Sequence, residues 1–420
     1  MSLFRRALVL LAWAALAFAT PAAARDVPAA RRTVILISLD GVSRGLMMRS
    51  QTPALDQLAA EGAAIARLIP PFPSNTFPSH ATMATGSYPA RHGIVNNKFM
   101  DRKLGPFDKE RSAFWLRAQP LWVTAERQNV RAGVIMWVTS EGDWRGALPS
   151  FQMKFNRRTD DDRKVERILS WLSLPPRERP RLIMAWFRGS DAECHRYGPF
   201  SQEAVAQLER EDALIGRLRE GLKRRGLSRS TALIVASDHG AIPLGRVLNL
   251  DRALRKGGLR GRVATAGGVS NIYLEAPWER DRAIRILSAQ KGFRLYPREE
   301  LPRAWHATAE GRLGDLVAVA EPGIWFSEGP DFIAGGTRKD RVGGHGYPPG
   351  VPGTDGLLIG AGPGIRRGAR IPSAQMVDVY PTLCRLLGIR PARGIDGRAL
   401  DAMLGGGRAE SAGSSPGEPS

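Results

Sequence analysis

Cysteine is nearly absent: the chain of 420 residues has two, Cys194 and Cys384. That excludes a disulfide-stapled scaffold and a four-cysteine zinc ribbon. Long apolar runs are missing too. The longest candidate, Ala7 to Ala19, is too short to span a bilayer core of roughly 30 Å, so a polytopic membrane protein is ruled out. Blocks of like charge are also missing. Lys and Arg number 61 against 41 Asp and Glu, a formal net charge of +20, yet the basic residues are scattered. Such a field attracts polyanions, phosphorylated metabolites or anionic surfaces. Without a basic stripe interleaved with aromatics it points to no specific nucleic-acid partner. Hydrophobic residues at 43% and charged residues at 24% exclude a mainly disordered or collagen-like chain.

The first segment reads as an address. Arg5 and Arg6 precede the apolar run, and Pro21-Ala22-Ala23-Ala24 supplies small residues for a signal peptidase. Cleavage is expected after Ala24. The mature protein is then expected to be periplasmic or secreted, with no stable membrane span. Residues 405–420 are rich in Gly, Ser, Pro and Glu and are expected to be a disordered tail.

Between them the pattern alternates. Val34 to Leu39 is a continuous apolar run, the mark of a strand buried on both faces. Thr52-Pro53 predicts a helix start with Thr52 as cap, and Gly62 its end. Val130 to Val138, Arg181 to Phe187, Thr231 to Ser237 and Gly356 to Ile359 read as further strands. Helices are expected after Thr159 as cap, after Ser201, and from Asp378 to Leu387. This alternation reads as one α/β domain over residues 25–404. Residues from about 261 to 324 differ, with short strands (Ser270 to Leu274, Leu316 to Ala320) around a helix near Glu279 to Gln290, and read as a small inserted α+β subdomain.

In an open α/β sheet, ligands sit beyond the carboxyl ends of the strands. Asp40 follows the first strand, Asp191 and His195 the strand at 181–187, and Asp238 and His239 the strand at 231–237. His345 lies in Gly343-Gly344-His345-Gly346, before the strand at 356–359. Three Asp and three His suit borderline cations such as Zn²⁺, with two ions sharing six or seven ligands. The i, i+4 spacing of Asp191 and His195 puts both on one side of a helical turn. Thr76, in Ser74-Asn75-Thr76-Phe77-Pro78-Ser79-His80, stands where Pro78 opens a helix. There the dipole favours an anion, and a coordinated hydroxyl can act as a nucleophile. A plain helix cap has the same local pattern.

At this point the chain resembles the nucleotide pyrophosphatase/phosphodiesterase family of the alkaline phosphatase superfamily. The segments that carry the resemblance are Ile37-Ser38-Leu39-Asp40-Gly41, Thr52-Pro53-Ala54-Leu55-Asp56, Pro73 to His80, Thr85-Gly86-Ser87-Tyr88-Pro89, His92-Gly93-Ile94 and Asn96-Asn97. Asp191 to Pro199, Ser237-Asp238-His239-Gly240 and Gly343 to Gly346 complete it. The resemblance implies an alkaline-phosphatase-like fold, a mixed and mostly parallel sheet flanked by helices. It also implies two divalent ions, usually zinc. Asp191, His195 and His345 would hold one, and Asp40, Thr76, Asp238 and His239 the other. Asn97 would donate to a non-bridging phosphoryl oxygen. Thr76 would carry the phosphoryl group of a small phosphorylated substrate, a nucleotide or other phosphodiester.

Phe77 and Trp186 would stack on a base, with core packing as the competing role for both. Three positions depart from the family pattern: Arg188-Gly189-Ser190 where acidic residues and Pro are usual, Cys194 for Gly, and Ser79 for Asn. Two other activities stay open: a phosphomonoesterase on the same scaffold, and a non-catalytic basic binder of anionic polymers.

Overall fold

A computed structural model describes residues 27–328, 332–333 and 342–405. The expected signal peptide and nearly all of the expected tail lie outside the described residues. Strands β1 (Thr33–Leu39), β2 (Ala63–Ile69), β3 (Ala132–Ile135), β4 (Phe151–Met153), β5 (Leu182–Phe187) and β6 (Thr231–Ala236) belong to one sheet. Strands β7 (Gly261–Ala266), β8 (Val269–Leu274), β9 (Phe293–Pro297) and β10 (Leu316–Ala320) form a second. Strands β11 (Gly356–Ala361) and β12 (Ala369–Ile371) return to the first, whose order is β12-β2-β11-β6-β1-β5-β3-β4.

In that sheet β11 runs against both neighbours, and the other pairs are parallel. Every residue of β1, β5 and β6 is buried, which is why these strands read as continuous apolar runs rather than alternating ones. The longer helices are α1 (Pro53–Glu61), α2 (Thr76–Thr85), α3 (Asp161–Leu172), α4 (Gly189–Tyr197), α5 (Gln202–Arg224), α6 (Leu250–Lys256), α7 (Arg280–Ser288) and α8 (Val379–Leu387).

Register does the positioning. Leu39 of β1 pairs with Phe187 of β5, and Ser38 pairs with Ala236 of β6. Parallel strands in step end in step, so Asp40, Arg188 and Asp238 emerge at one edge. The second sheet, β7-β8-β10-β9, is antiparallel throughout. With α6 and α7 it encloses its own apolar core, which also takes Leu244, Leu248 and Tyr347.

Three local expectations are corrected. The strand expected over 130–138 stops at Ile135 because Met136 and Thr139 adopt left-handed backbone, φ 55° and 58°. Asp160, not Thr159, caps α3, accepting from the Arg163 N–H at 3.0 Å. Thr52 makes no cap bond to α1. Its role falls to Asp212 of α5, whose carboxylate accepts from Ala54 and Leu55 N–H at 3.1 and 2.8 Å.

Candidate metal centre and active site

Two triads of ligand atoms lie at the carboxyl edge. Asp191, His195 and His345 form one, and Asp40, Asp238 and His239 the other; within each, the ligand atoms lie within 4.8 Å of one another. All six side chains expected to converge do so.

Glycine makes this approach possible. A Cβ on Gly41 would stand 2.9 Å from the Asp191 backbone, at φ +75°, so the turn after Asp40 closes onto α4 only with Gly there. Gly346 sits at φ +91°, and a Cβ there would stand 2.5 Å from Asn75 Oδ1. The loop carrying His345 is thus pressed against the start of α2.

The three imidazoles are oriented from behind. His195 Nδ1 lies 2.7 Å from Gly343 O, His239 Nδ1 lies 3.1 Å from Gly240 O, and His345 Nδ1 lies 3.2 Å from Ser74 O. A carbonyl can only accept, so each Nδ1 carries a proton and each ring turns its Nε2 inward. His195 and His345 then face each other Nε2 to Nε2 at 3.1 Å. Both also face Asp191 Oδ1, at 3.3 and 3.4 Å. His239 Nε2 lies 3.1 Å from Asp238 Oδ2, 3.4 Å from Asp40 Oδ1 and 3.2 Å from Thr76 Oγ1.

The carboxylates match. Asp40 Oδ1, Asp191 Oδ1 and Asp238 Oδ2 are buried and have no hydrogen-bond partner. Asp40 Oδ2 accepts from the Trp186 indole at 2.8 Å, and Asp238 Oδ1 accepts from Gly41 and His239 N–H at 3.1 and 3.0 Å. Lone pairs and unpaired anionic oxygens so close together repel one another, and buried charge without a partner is costly. Divalent cations between them remove both penalties, and a His and carboxylate donor set fits borderline metals.

Protonation follows from this crowding. Burial, then repulsion from Asp238 and Asp191, raises Asp40 well above the ordinary carboxylate range. Burial pushes Asp238 up to about 8, with Asp191 adding to the rise. Asp191 goes the other way: burial opposes ionisation, but His195, His345 and His239 outweigh it and hold its carboxyl well below the usual range. Burial, then His345, keeps the His239 ring neutral.

Thr76 is the first residue of α2 and is 7% exposed; Asn75 is the cap and makes no side-chain cap bond. The backbone N–H donors after Thr76 at this helix start are committed. Phe77 N–H donates to Asn97 Oδ1 at 2.9 Å, Pro78 has none, and Ser79 N–H goes to Asn75 O. With its oxygen held this way, Asn97 lines the cleft beside Thr76. That cleft has a volume of about 280 Å³ and is lined by Thr76, Asn97, Lys98, Lys109, Trp325 and His345, among others.

The two expected stacking aromatics do not line this cleft. Phe77 is 2% exposed and packs edge-on against Phe107. Trp186 is 6% exposed, bonded to Asp40, with Phe155 against its ring. Both follow the competing packing role, because the rings point back into the sheet and helix layers.

Residues missed in the sequence include Trp325 and Lys109, which line the cleft. Asn75 and Asn96 were also missed: Asn75 Nδ2 donates to Asn96 Oδ1 at 2.7 Å, and Asn96 Oδ1 also takes the Asn97 N–H at 2.8 Å. The only signal was the run Asn96-Asn97 beside a helix start. His80, absent from the ligand set, donates from Nδ1 to Thr76 O at 2.8 Å, and burial lowers its pKa to about 3. Cys194 and Cys384 are both buried and free.

A mostly parallel sheet with two His and carboxylate triads that could hold metal ions at its carboxyl edge, and a hydroxyl at a facing helix start, defines an alkaline-phosphatase-like α/β hydrolase. The comparisons with known proteins narrow this. Residues 34–348 match the family model of type I phosphodiesterase / nucleotide pyrophosphatase. An uncharacterized pyrophosphatase/phosphodiesterase of Schizosaccharomyces pombe is 32% identical over 393 residues, covering 88% of this chain and 80% of that one. Ectonucleotide pyrophosphatase/phosphodiesterase family member 1 of Mus musculus is 30% identical over 379 residues, 85% of this chain but 41% of its own. The chain thus spans less than half the length of that mammalian relative.

Among solved structures, human ectonucleotide pyrophosphatase/phosphodiesterase 5 superposes with a TM-score of 0.81 at 25% identity, over 89% of this chain and 100% of that one. The murine counterpart, an inactive threonine-to-alanine form in complex with AMP, superposes at 0.79 and 24% identity, over 86% of this chain and 96% of that one. The chain belongs to the type I phosphodiesterase/nucleotide pyrophosphatase family and is a hydrolase of that class. A non-catalytic binder of anionic polymers is set aside by this membership. No helix among the described residues is long and apolar enough to cross a membrane.

Proposed function

We propose that this protein hydrolyses phosphodiester or pyrophosphate bonds of small phosphorylated substrates with two divalent ions, most simply Zn²⁺, and Thr76 as nucleophile. One observation carries the reading: two triads of carboxylate and imidazole atoms gather at the carboxyl edge, three of their buried carboxylate oxygens have no hydrogen-bond partner, and the Thr76 hydroxyl stands beside His239 of one triad. Asp191, His195 and His345 would hold one ion, and Asp40, Asp238, His239 and Thr76 the other. When bound, the ions supply positive charge that favours the Thr76 alkoxide and the charge developing on phosphorus and leaving oxygen.

The chain's own residues then act in order. Asn97 donates its amide to a non-bridging oxygen and orients the substrate. Thr76 Oγ attacks phosphorus in line, the bond to the leaving oxygen breaks, and the retained phosphoryl group is esterified to Thr76. Water then attacks the same phosphorus, the Thr76 ester breaks, and the phosphorylated product leaves with Thr76 restored. The narrow cleft with Lys98 and Lys109 on its wall accepts a compact anionic substrate. AMP, held by the murine neighbour, is a product of this chemical class. The proposed setting is periplasmic or secreted, supported by the basic and apolar residues 5–24.

The test compares an aryl phosphate diester with its monoester, with and without chelator. The expected result is faster diester turnover, abolished by chelation and restored by zinc. Faster monoester turnover would favour the phosphomonoesterase reading, and turnover indifferent to chelator would end the two-ion account.

A further inference from the structure

Trp186 contributes no face to the cleft, yet it is held tightly. Its indole N–H donates to Asp40 Oδ2 at 2.8 Å. Its carbonyl accepts from Lys164 Nζ at 2.6 Å. The His80 ring meets its ring edge-on at 5.8 Å, and Phe155 lies against it at 6.0 Å. Lys164 is itself unusual. Its side chain is fully buried on α3, with Asp161 Oδ1 as the ion partner at 2.7 Å. An ammonium is rarely buried unless it is paired and hydrogen-bonded. Here its second bond goes to the backbone of the residue that contacts Asp40.

A carboxylate next to two other carboxylates has several directions open to it. Committing Oδ2 to the indole leaves Oδ1 as the one oxygen of Asp40 without a partner, and that oxygen faces His239 Nε2 at 3.4 Å. An outer hydrogen bond of this kind fixes a ligand's orientation. We propose that Trp186 is a positioning residue of the metal centre: its indole N–H aims Asp40, and Lys164, bonded to the Trp186 carbonyl, holds that residue's backbone. This rests on the two-ion reading and assigns Trp186 a task other than stacking on substrate.

Trp186→Phe separates the two tasks, because it keeps an aromatic face and removes the donor. Zinc titration of the ion-free parent is expected to show two equivalents. In the variant, one equivalent is expected to bind about tenfold more weakly while the other is unchanged, with kcat reduced and KM held. Two equivalents bound as in the parent, or a raised KM with kcat held, would overturn the proposal while leaving the two-ion reading intact. A parent that takes up no zinc would overturn both. A second measurement uses the unmodified protein: the Trp186 indole N–H resonance is expected to shift as zinc is added. An indole signal indifferent to zinc would overturn the proposal even if the variant does not fold.

Discussion

Removing the ions should make the protein's stability fall with pH in a window where the loaded protein is flat. In the ion-free state burial raises Asp238 to about 8 and Asp40 well above its usual range. A raised carboxyl binds its proton in the folded state and loses it in the unfolded one. Its contribution is therefore fully present below the ordinary value of 3.8 and is lost as pH rises toward about 8.

Other buried groups crowd the lower part of that window. Burial raises Glu211 to about 7 and lowers His80 and His92 to about 3, so their effects oppose one another around pH 5 to 6. Between pH 7 and 8 the proton on Asp238 dominates. Each retained proton there gives a slope of about 1.4 kcal/mol per pH unit. Saturating zinc displaces those protons and adds stability of its own, about 2.7 kcal/mol per site at a hundredfold excess over Kd. Urea unfolding at pH 7.0, 7.5 and 8.0, in chelator and in zinc, reads both effects. Equal slopes in the two conditions, or no loss of stability in chelator, would refute the idea that these carboxylates are paired by cations.

Thr76→Ala should lower turnover by at least about a thousandfold, in the range seen when a nucleophile is removed, while zinc content at the Asp191 triad stays as in the parent, as read by elemental analysis. His345→Ala should remove about one of two zinc equivalents and lower activity with it; an unchanged metal content would remove His345 from the ligand set. Gly346→Ala places a Cβ 2.5 Å from Asn75 Oδ1 at φ +91°. It should cost about 1–3 kcal/mol and weaken zinc binding, since both His345 and the start of α2 must shift. Normal stability and zinc uptake in that variant would show the loop to be looser than its geometry.

The convergence of these side chains was legible because it follows from topology. Buried parallel strands read as apolar runs, and residues just past their carboxyl ends share an edge whenever the register is in step, as Leu39, Phe187 and Ala236 are through β1. What escaped depends on contacts between distant segments. The cap of α1 comes from Asp212, which lies 157 residues beyond Leu55. The end of β3 is set by left-handed Met136, and no residue type announces that. Trp186 and Phe77 carry the family pattern of stacking aromatics, but a ring's direction is decided by what packs behind it. For Trp186 that is Phe155 and His80, and for Phe77 it is Phe107.

The central claim is that Thr76 takes the phosphoryl group before water does. Hydrolysis of a phosphorothioate diester chiral at phosphorus, run in water carrying a heavy oxygen isotope so that the product is also chiral, tests it directly. Two successive in-line displacements, the first by Thr76 Oγ and the second by water, return the original configuration, so the product should show net retention. Net inversion would mean a single attack by water and would contradict the account.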